Sequence, residues 1–137
     1  MKKLSIASLL IASTLLFSFN NPAPSDMTGI YKGKEKCNMG RNKNQWSNRY
    51  EMTIKNNGAN YTVIGLYYQK NPIPATLVND TLKFDSRKEK NDDIKLWGFG
   101  VMNGAQLTIE YKSKVQTGPN RETDYIINEC TAIFDKN

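Results

Sequence analysis

The sequence predicts an all-β fold, specifically an eight-stranded antiparallel up-and-down β-barrel. Three observations carry this. Past residue 28, apolar and polar residues alternate through eight short runs, the period-two pattern of strands with one buried face. The connectors between runs alternate between tight and long, so in an up-and-down order all the long ones fall at one end. The two cysteines, Cys37 and Cys130, lie at the end of the first run and within the last. A disulfide there joins strands that become neighbours when the sheet closes on itself.

The runs span residues 30–37, 49–55, 60–68, 75–78, 81–86, 94–102, 106–115 and 124–134. In the second, Tyr50, Met52 and Ile54 point one way and Glu51, Thr53 and Lys55 the other. In the seventh, Leu107, Ile109 and Tyr111 alternate with Thr108, Glu110 and Lys112. No stretch keeps a helical period. The same eight runs would also fill a two-sheet sandwich, and the cysteines favour the barrel. Setting Cys37 opposite Cys130 places Gly33 against Phe134 and Glu35 against Ala132. It also brings Lys32 to Asp135 and Lys36 diagonal to Glu129, attractive pairs worth a few tenths of a kcal/mol each. The bond would close a loop of about 90 residues, for which chain entropy gives roughly 4–5 kcal/mol as an upper figure.

Three connectors are tight and rich in turn residues: Asn56-Asn57-Gly58-Ala59, Asn79-Asp80 and Asn103-Gly104. The four long ones, 38–46, 69–74, 86–93 and 116–123, would share one mouth. Asn103-Gly104 is a two-residue type I′ signal. It sets Gly98 opposite Ile109 and Gly100 opposite Leu107, with Trp97, Phe99 and Val101 outward. An outward Trp97–Phe99 pair is the kind of apolar patch that marks a partner site. A three-residue turn slips the pairing by one and buries both aromatics. The two-residue turn is preferred because it keeps Leu107, Ile109 and Tyr111 against apolar partners in an interior relieved by glycine.

A chain of 137 residues is one domain by length. Met1-Lys2-Lys3 followed by the apolar run to Phe19 predicts a signal peptide over residues 1–19, with an uncleaved anchor as the minority reading. Residues 20–28, with two prolines, read as a linker, and 29–137 as the barrel domain. No cysteine follows the apolar run closely enough for a lipoprotein. Loss of Lys2 and Lys3 lowers the formal charge from +6 to about +4. The expected protein is secreted or periplasmic, keeps no stable membrane span after signal removal, and binds no nucleic acid. In that compartment the cysteines pair.

The opening Gly29-Ile30-Tyr31 resembles the Gly-x-Trp first strand of lipocalins, avidins and related small barrels, with Tyr where those families prefer Trp. Thr123-Asp124-Tyr125 is similar to the lipocalin Thr-Asp-Tyr element, though here it precedes the last strand and no later Arg follows it. With the strand plan, the resemblance implies a lipocalin-like, calycin-type architecture.

The chain has no histidine. Ser-His and Cys-His nucleophile pairs and His-ligated metals are therefore excluded, and the commonest general base is missing. Two distant, paired cysteines make no thiolate zinc site. No catalytic residue, cofactor or metal is expected. Glu35 points inward with Tyr31 and Cys37, and a buried carboxylate needs a cation or several donors. Lys32, Lys34 and Lys36 form an outward row whose structural reading is protection against edge-to-edge pairing. The first long loop combines Trp46 with Arg41 and Lys43 and suits a planar or anionic ligand. The sequence thus predicts an exported, non-catalytic binding protein taking a small amphipathic or anionic ligand. Arg41 and Trp46 would contact it at the mouth, with Glu35 and Tyr31 deeper in. The alternative is a protein-interaction module, an inhibitor or surface-assembly component, using Trp97 and Phe99.

Overall fold

The computed structural model describes residues 26–90 and 93–137. The predicted signal peptide, most of the predicted linker and Asp92 lie outside the described residues. Eight strands follow in chain order: β1 (Gly29–Cys37), β2 (Tyr50–Asn56), β3 (Tyr61–Ile64), β4 (Ile73–Val78), β5 (Thr81–Asp85), β6 (Ile94–Asn103), β7 (Gln106–Gln116) and β8 (Tyr125–Lys136). Each pairs antiparallel with the next, and β8 returns to β1, so the sheet is a closed up-and-down barrel. Closure removes both free edges that an open sheet would present. The architecture is compatible with a calycin-like barrel.

The closing ladder has the register that the cysteines dictate. Cys37 faces Cys130, Glu35 faces Ala132, Gly33 faces Phe134 and Lys32 faces Asp135. The disulfide forms between residues 93 apart in sequence. The outer-face ion pairs differ from those expected. Glu129 pairs with Lys112 across β7 and β8 at 3.0 Å, and Asp135 takes Arg49 at 3.2 Å. Lys112 lies directly opposite Glu129 in the β7–β8 ladder, closer than a diagonal neighbour.

Connector lengths sort the two ends of the barrel. Residues 57–60, 79–80 and 104–105 turn at one end, while 38–49, 65–72, 117–124 and the described part of the β5–β6 connector, 86–90, share the other. Asn79 and Asp80 both take positive φ (49° and 59°), as a type I′ hairpin turn requires. The β6–β7 turn differs from expectation by one residue at its centre. Asn103 pairs with Gln106, leaving Gly104-Ala105 as the turn. Gly104, at φ 63°, carries the positive φ at the first central position, where a II′ turn places glycine. The register therefore slips by two: Gly98 faces Tyr111 and Gly100 faces Ile109. An even slip preserves the facing, so Trp97, Phe99 and Val101 remain outward.

The predicted third run breaks. β3 stops at Ile64, Gly65 takes φ 95°, and a 3₁₀ turn, η2 (Leu66–Tyr68), follows. A side chain at Gly65 would bring Cβ within 2.6 Å of the Glu51 carbonyl, so both the backbone angle and the close approach require glycine. The aromatic and aliphatic pattern of 60–68 reads as strand, but past Ile64 the chain buries Leu66 and Tyr67 by turning inward and leaves Tyr68 partly exposed at the mouth.

The core fills the barrel with Tyr31, Met52, Ile54, Val63, Leu66, Leu82, Leu96, Leu107, Ile109 and Phe134, all essentially inaccessible. Met27, assigned to the linker, is fully buried and accepts a hydrogen bond from the Tyr31 hydroxyl at 2.7 Å. It plugs the tight-turn end, so the packed domain begins before Gly29. Among the described residues, no helix is long and apolar enough to cross a membrane.

Candidate binding site at the long-loop mouth

β1 carries Glu35 into the barrel two residues before the disulfide, and no part of its side chain reaches solvent. Neighbouring elements supply its donors. Tyr50, the first residue of β2, donates its hydroxyl to Oε2 at 2.8 Å. Tyr111 of β7 donates to the same oxygen. Arg41 Nη2 lies 2.9 Å from Oε1 and Asn42 Nδ2 3.4 Å from it. Two tyrosines thus hold one carboxylate oxygen from within the barrel, while the other faces the mouth. Such a donor set is what a buried carboxylate needs.

Arg41 comes from η1 (Gly40–Asn42), a 3₁₀ turn in the first long loop. Its guanidinium lies over the rings of Tyr68 and Tyr67, with Cζ 3.9 and 4.6 Å from the two centroids. The side chain is 42% exposed while its carboxylate partner is 0% exposed, so Arg41 lies between Glu35 and solvent. Tyr67 and Tyr68 both adopt left-handed backbone (φ 53° and 58°). That conformation costs an aromatic residue on the order of 1 kcal/mol or more, sustained only where the surroundings over-determine it. Here Tyr68 stacks on Tyr50 at 4.3 Å and Tyr67 meets Tyr111 edge-on at 6.3 Å.

Burial, then the negative charge of Glu35, pushes the Tyr50 hydroxyl far above its ordinary value. The same two causes raise Tyr111 well above that value. Both phenols therefore stay protonated and serve as fixed donors. Below η1, Asn128 and Ser113 are fully buried, and Asn128 Nδ2 donates to Ser113 Oγ at 3.0 Å. Among the described residues, Asn128 Oδ1 has no hydrogen-bond donor. It points toward Gly40, where an added Cβ would lie 2.8 Å away.

Of the four residues expected to line a ligand site, two come together and two do not. Glu35 and Arg41 meet directly. Tyr31 sits on the same face of β1, four residues and ~13 Å away along the strand. Its hydroxyl is engaged by Met27 at the opposite end, and its pKa is pushed up to about 12, by burial first and then by the Asp26 charge. Trp46 leaves the mouth altogether. Ser47 donates its backbone N–H to the Glu35 carbonyl at 2.7 Å, and its Oγ accepts the Glu35 N–H at 3.0 Å. The Gly33–Tyr50 register would have put Asn48 there. This one-residue slip turns Trp46 to the outer wall, where Lys34 and Lys36 lie over its ring at 5.2 and 5.1 Å. The lysine row thus packs partly on an aromatic face.

Sequence reasoning missed Tyr50, Tyr67, Tyr68, Tyr111, Asn42 and Asn128. The inward parity of Tyr50 and Tyr111 was legible, and combining it with the Glu35 register would have found them. Tyr67 and Tyr68 were hidden by the strand reading of their segment. No protein-family model, curated protein or solved structure matches the chain.

On the outer wall, Trp97, Phe99 and Val101 form a stripe along β6. Phe99 and Val101 are each 43% exposed, Trp97 is half-buried, and Arg87 lies over the indole at 5.2 Å. Surface grooves run along both sides of Trp97 and Phe99. Lys36, Glu110, Lys112 and Glu129 border one; Thr76, Lys83 and Asp85 border the other.

Proposed function

We propose that this is an exported, non-catalytic interaction module that docks a partner protein against the outer wall along β6. The stripe of Trp97, Phe99 and Val101 carries this reading. Three successive outward positions of one strand are apolar, where a solvated wall would be polar, and grooves flank two of them. Rims carrying both charge signs around an aromatic centre have the composition of a protein interface. The Cys37–Cys130 disulfide supports an oxidising, extracytoplasmic compartment.

The second reading is a small ligand taken at the long-loop mouth, favoured by the buried carboxylate and its aromatic walls. An anionic ligand draws no support from Arg41, whose guanidinium is already paired with Glu35. Native mass spectrometry of the protein purified from its host separates the readings. The interaction module predicts a dimer or bound protein that is lost on joint Trp97→Ser and Phe99→Ser substitution. A bare monomer, or a partner retained by the double variant, overturns it. A retained small molecule on a monomer supports the mouth instead.

A further inference from the structure

We propose that the long-loop mouth is a receptor for an organic cation of the guanidinium class, and that Arg41 occupies it as the chain's own stand-in ligand. This does not depend on the outer-wall reading. The floor is the Glu35 carboxylate, oriented by Tyr50 and Tyr111 so that Oε1 faces outward. The walls are Tyr67 and Tyr68, with the guanidinium carbon 4.6 and 3.9 Å from their centroids. A carboxylate below and aromatic faces beside a cation is the arrangement that recognises guanidinium and alkylammonium groups. A guanidinium fits best, because its planar fork meets a carboxylate while its face lies on a ring.

Two observations separate a receptor from an ordinary buried ion pair. The occupant belongs to a three-residue turn in an exposed loop, whereas floor and walls are held by strands, by stacking and by Gly65. The loop is anchored on either side of η1, by Asn38 to Glu129 and by Asn44 to Cys37, so the Arg41 side chain can leave Oε1 while those anchors and the barrel ladders hold. The second observation is Asn128. It is fully buried beneath the same turn, and its Oδ1 has no donor among the described residues. It is an open acceptor directly beneath Gly40, the residue before Arg41. A free small molecule and an arginine side chain of a partner peptide both present the required group.

The test uses the protein purified from its host, with agmatine as the free small molecule and acetylated, amidated arginine as the peptide-borne side chain. Binding is followed by backbone-amide NMR and calorimetry. Arg41→Ala is expected to bind at least one probe tenfold or more tightly than wild type, with shifts centred on Glu35, Tyr67, Tyr68 and Asn128. Adding Glu35→Gln to Arg41→Ala is expected to abolish binding. Preference for one probe identifies the source of the cation. If Arg41→Ala does not fold, millimolar agmatine is expected to restore the folded form, and Arg41→Gln, which keeps a donor toward Oε1, gives a second background. A folded Arg41→Ala or Arg41→Gln that binds no better than wild type overturns the proposal. So does binding that survives Glu35→Gln, or an unfolded variant that agmatine does not rescue.

Discussion

Replacing Glu35 by Gln tests whether the carboxylate organises the mouth or is merely tolerated there. The substitution keeps shape and removes one acceptor oxygen together with the charge. Four donors converge on the native carboxylate: Tyr50 and Tyr111 on Oε2, Arg41 and Asn42 on Oε1. A Gln carbonyl turned toward the tyrosines retains those two bonds in neutral form, and each weakens by about 1 kcal/mol. The Gln amide then presents donors to the donors of Arg41 and Asn42. Arg41 is 42% exposed and rehydrates, so its loss adds little, and relief from burying a charge offsets part of the total. The expected net destabilisation is about 2 kcal/mol, or a fall in Tm of roughly 10 °C for a domain of this size. Thermal and urea unfolding measure it. A second readout is independent of stability: without the Glu35 charge, Tyr50 and Tyr111 lose the second-largest cause raising their pKa, so both ionise at lower pH. Unchanged stability together with an unchanged tyrosine titration would refute the assignment of Glu35 as the hub.

Converting Cys37 and Cys130 together to Ala releases a constraint between residues 93 apart, which chain entropy values at ~4.7 kcal/mol as an upper limit. Urea unfolding should show most of that loss, and a change below about 1 kcal/mol would mean that the β1–β8 ladder closes the barrel unaided. In alkali, Tyr50 and Tyr111 hold protons in the folded state that the unfolded chain gives up near pH 10. Their contribution is complete below about pH 10 and falls as pH rises further, by ~1.4 kcal/mol per pH unit for each residue. Urea midpoints at successive pH values follow this, and a flat profile across the alkaline range would contradict it. Gly65→Ala places a side chain at φ 95° and 2.6 Å from the Glu51 carbonyl. A loss of about 1–3 kcal/mol is expected, with NMR shifts at Tyr67 and Tyr68; a neutral effect would show that η2 does not need its left-handed entrance.

Particular residues show how far local pattern reaches. Alternation in 50–55 and 106–112 identified the inward faces of β2 and β7, because a period of two is a local property of extended backbone. The cysteines then set the β1–β8 register, since one covalent pair fixes every other pair in an antiparallel ladder. The β6–β7 turn shows the limit: two adjacent centrings of a two-residue turn preserve facing, and the one adopted puts Gly104 at the first central position and Gly98 against Tyr111. Trp46 shows it again. Its outward direction depends on a one-residue slip at Ser47, which no alternation pattern records.

The sequence alone determined that the chain is all-β, that its connectors differ at the two ends, that closure runs through Cys37 and Cys130, and that Glu35 faces inward. These follow from local periodicity, turn chemistry and one cross-link. Tertiary structure decided what meets Glu35. Arg41 arrives from a loop, Tyr67 and Tyr68 from a segment that turns where its composition reads as strand, and Tyr50 and Tyr111 from other strands. Their convergence depends on barrel curvature and loop path, which are set by packing across the interior and have no signature in the spacing of residues along the chain.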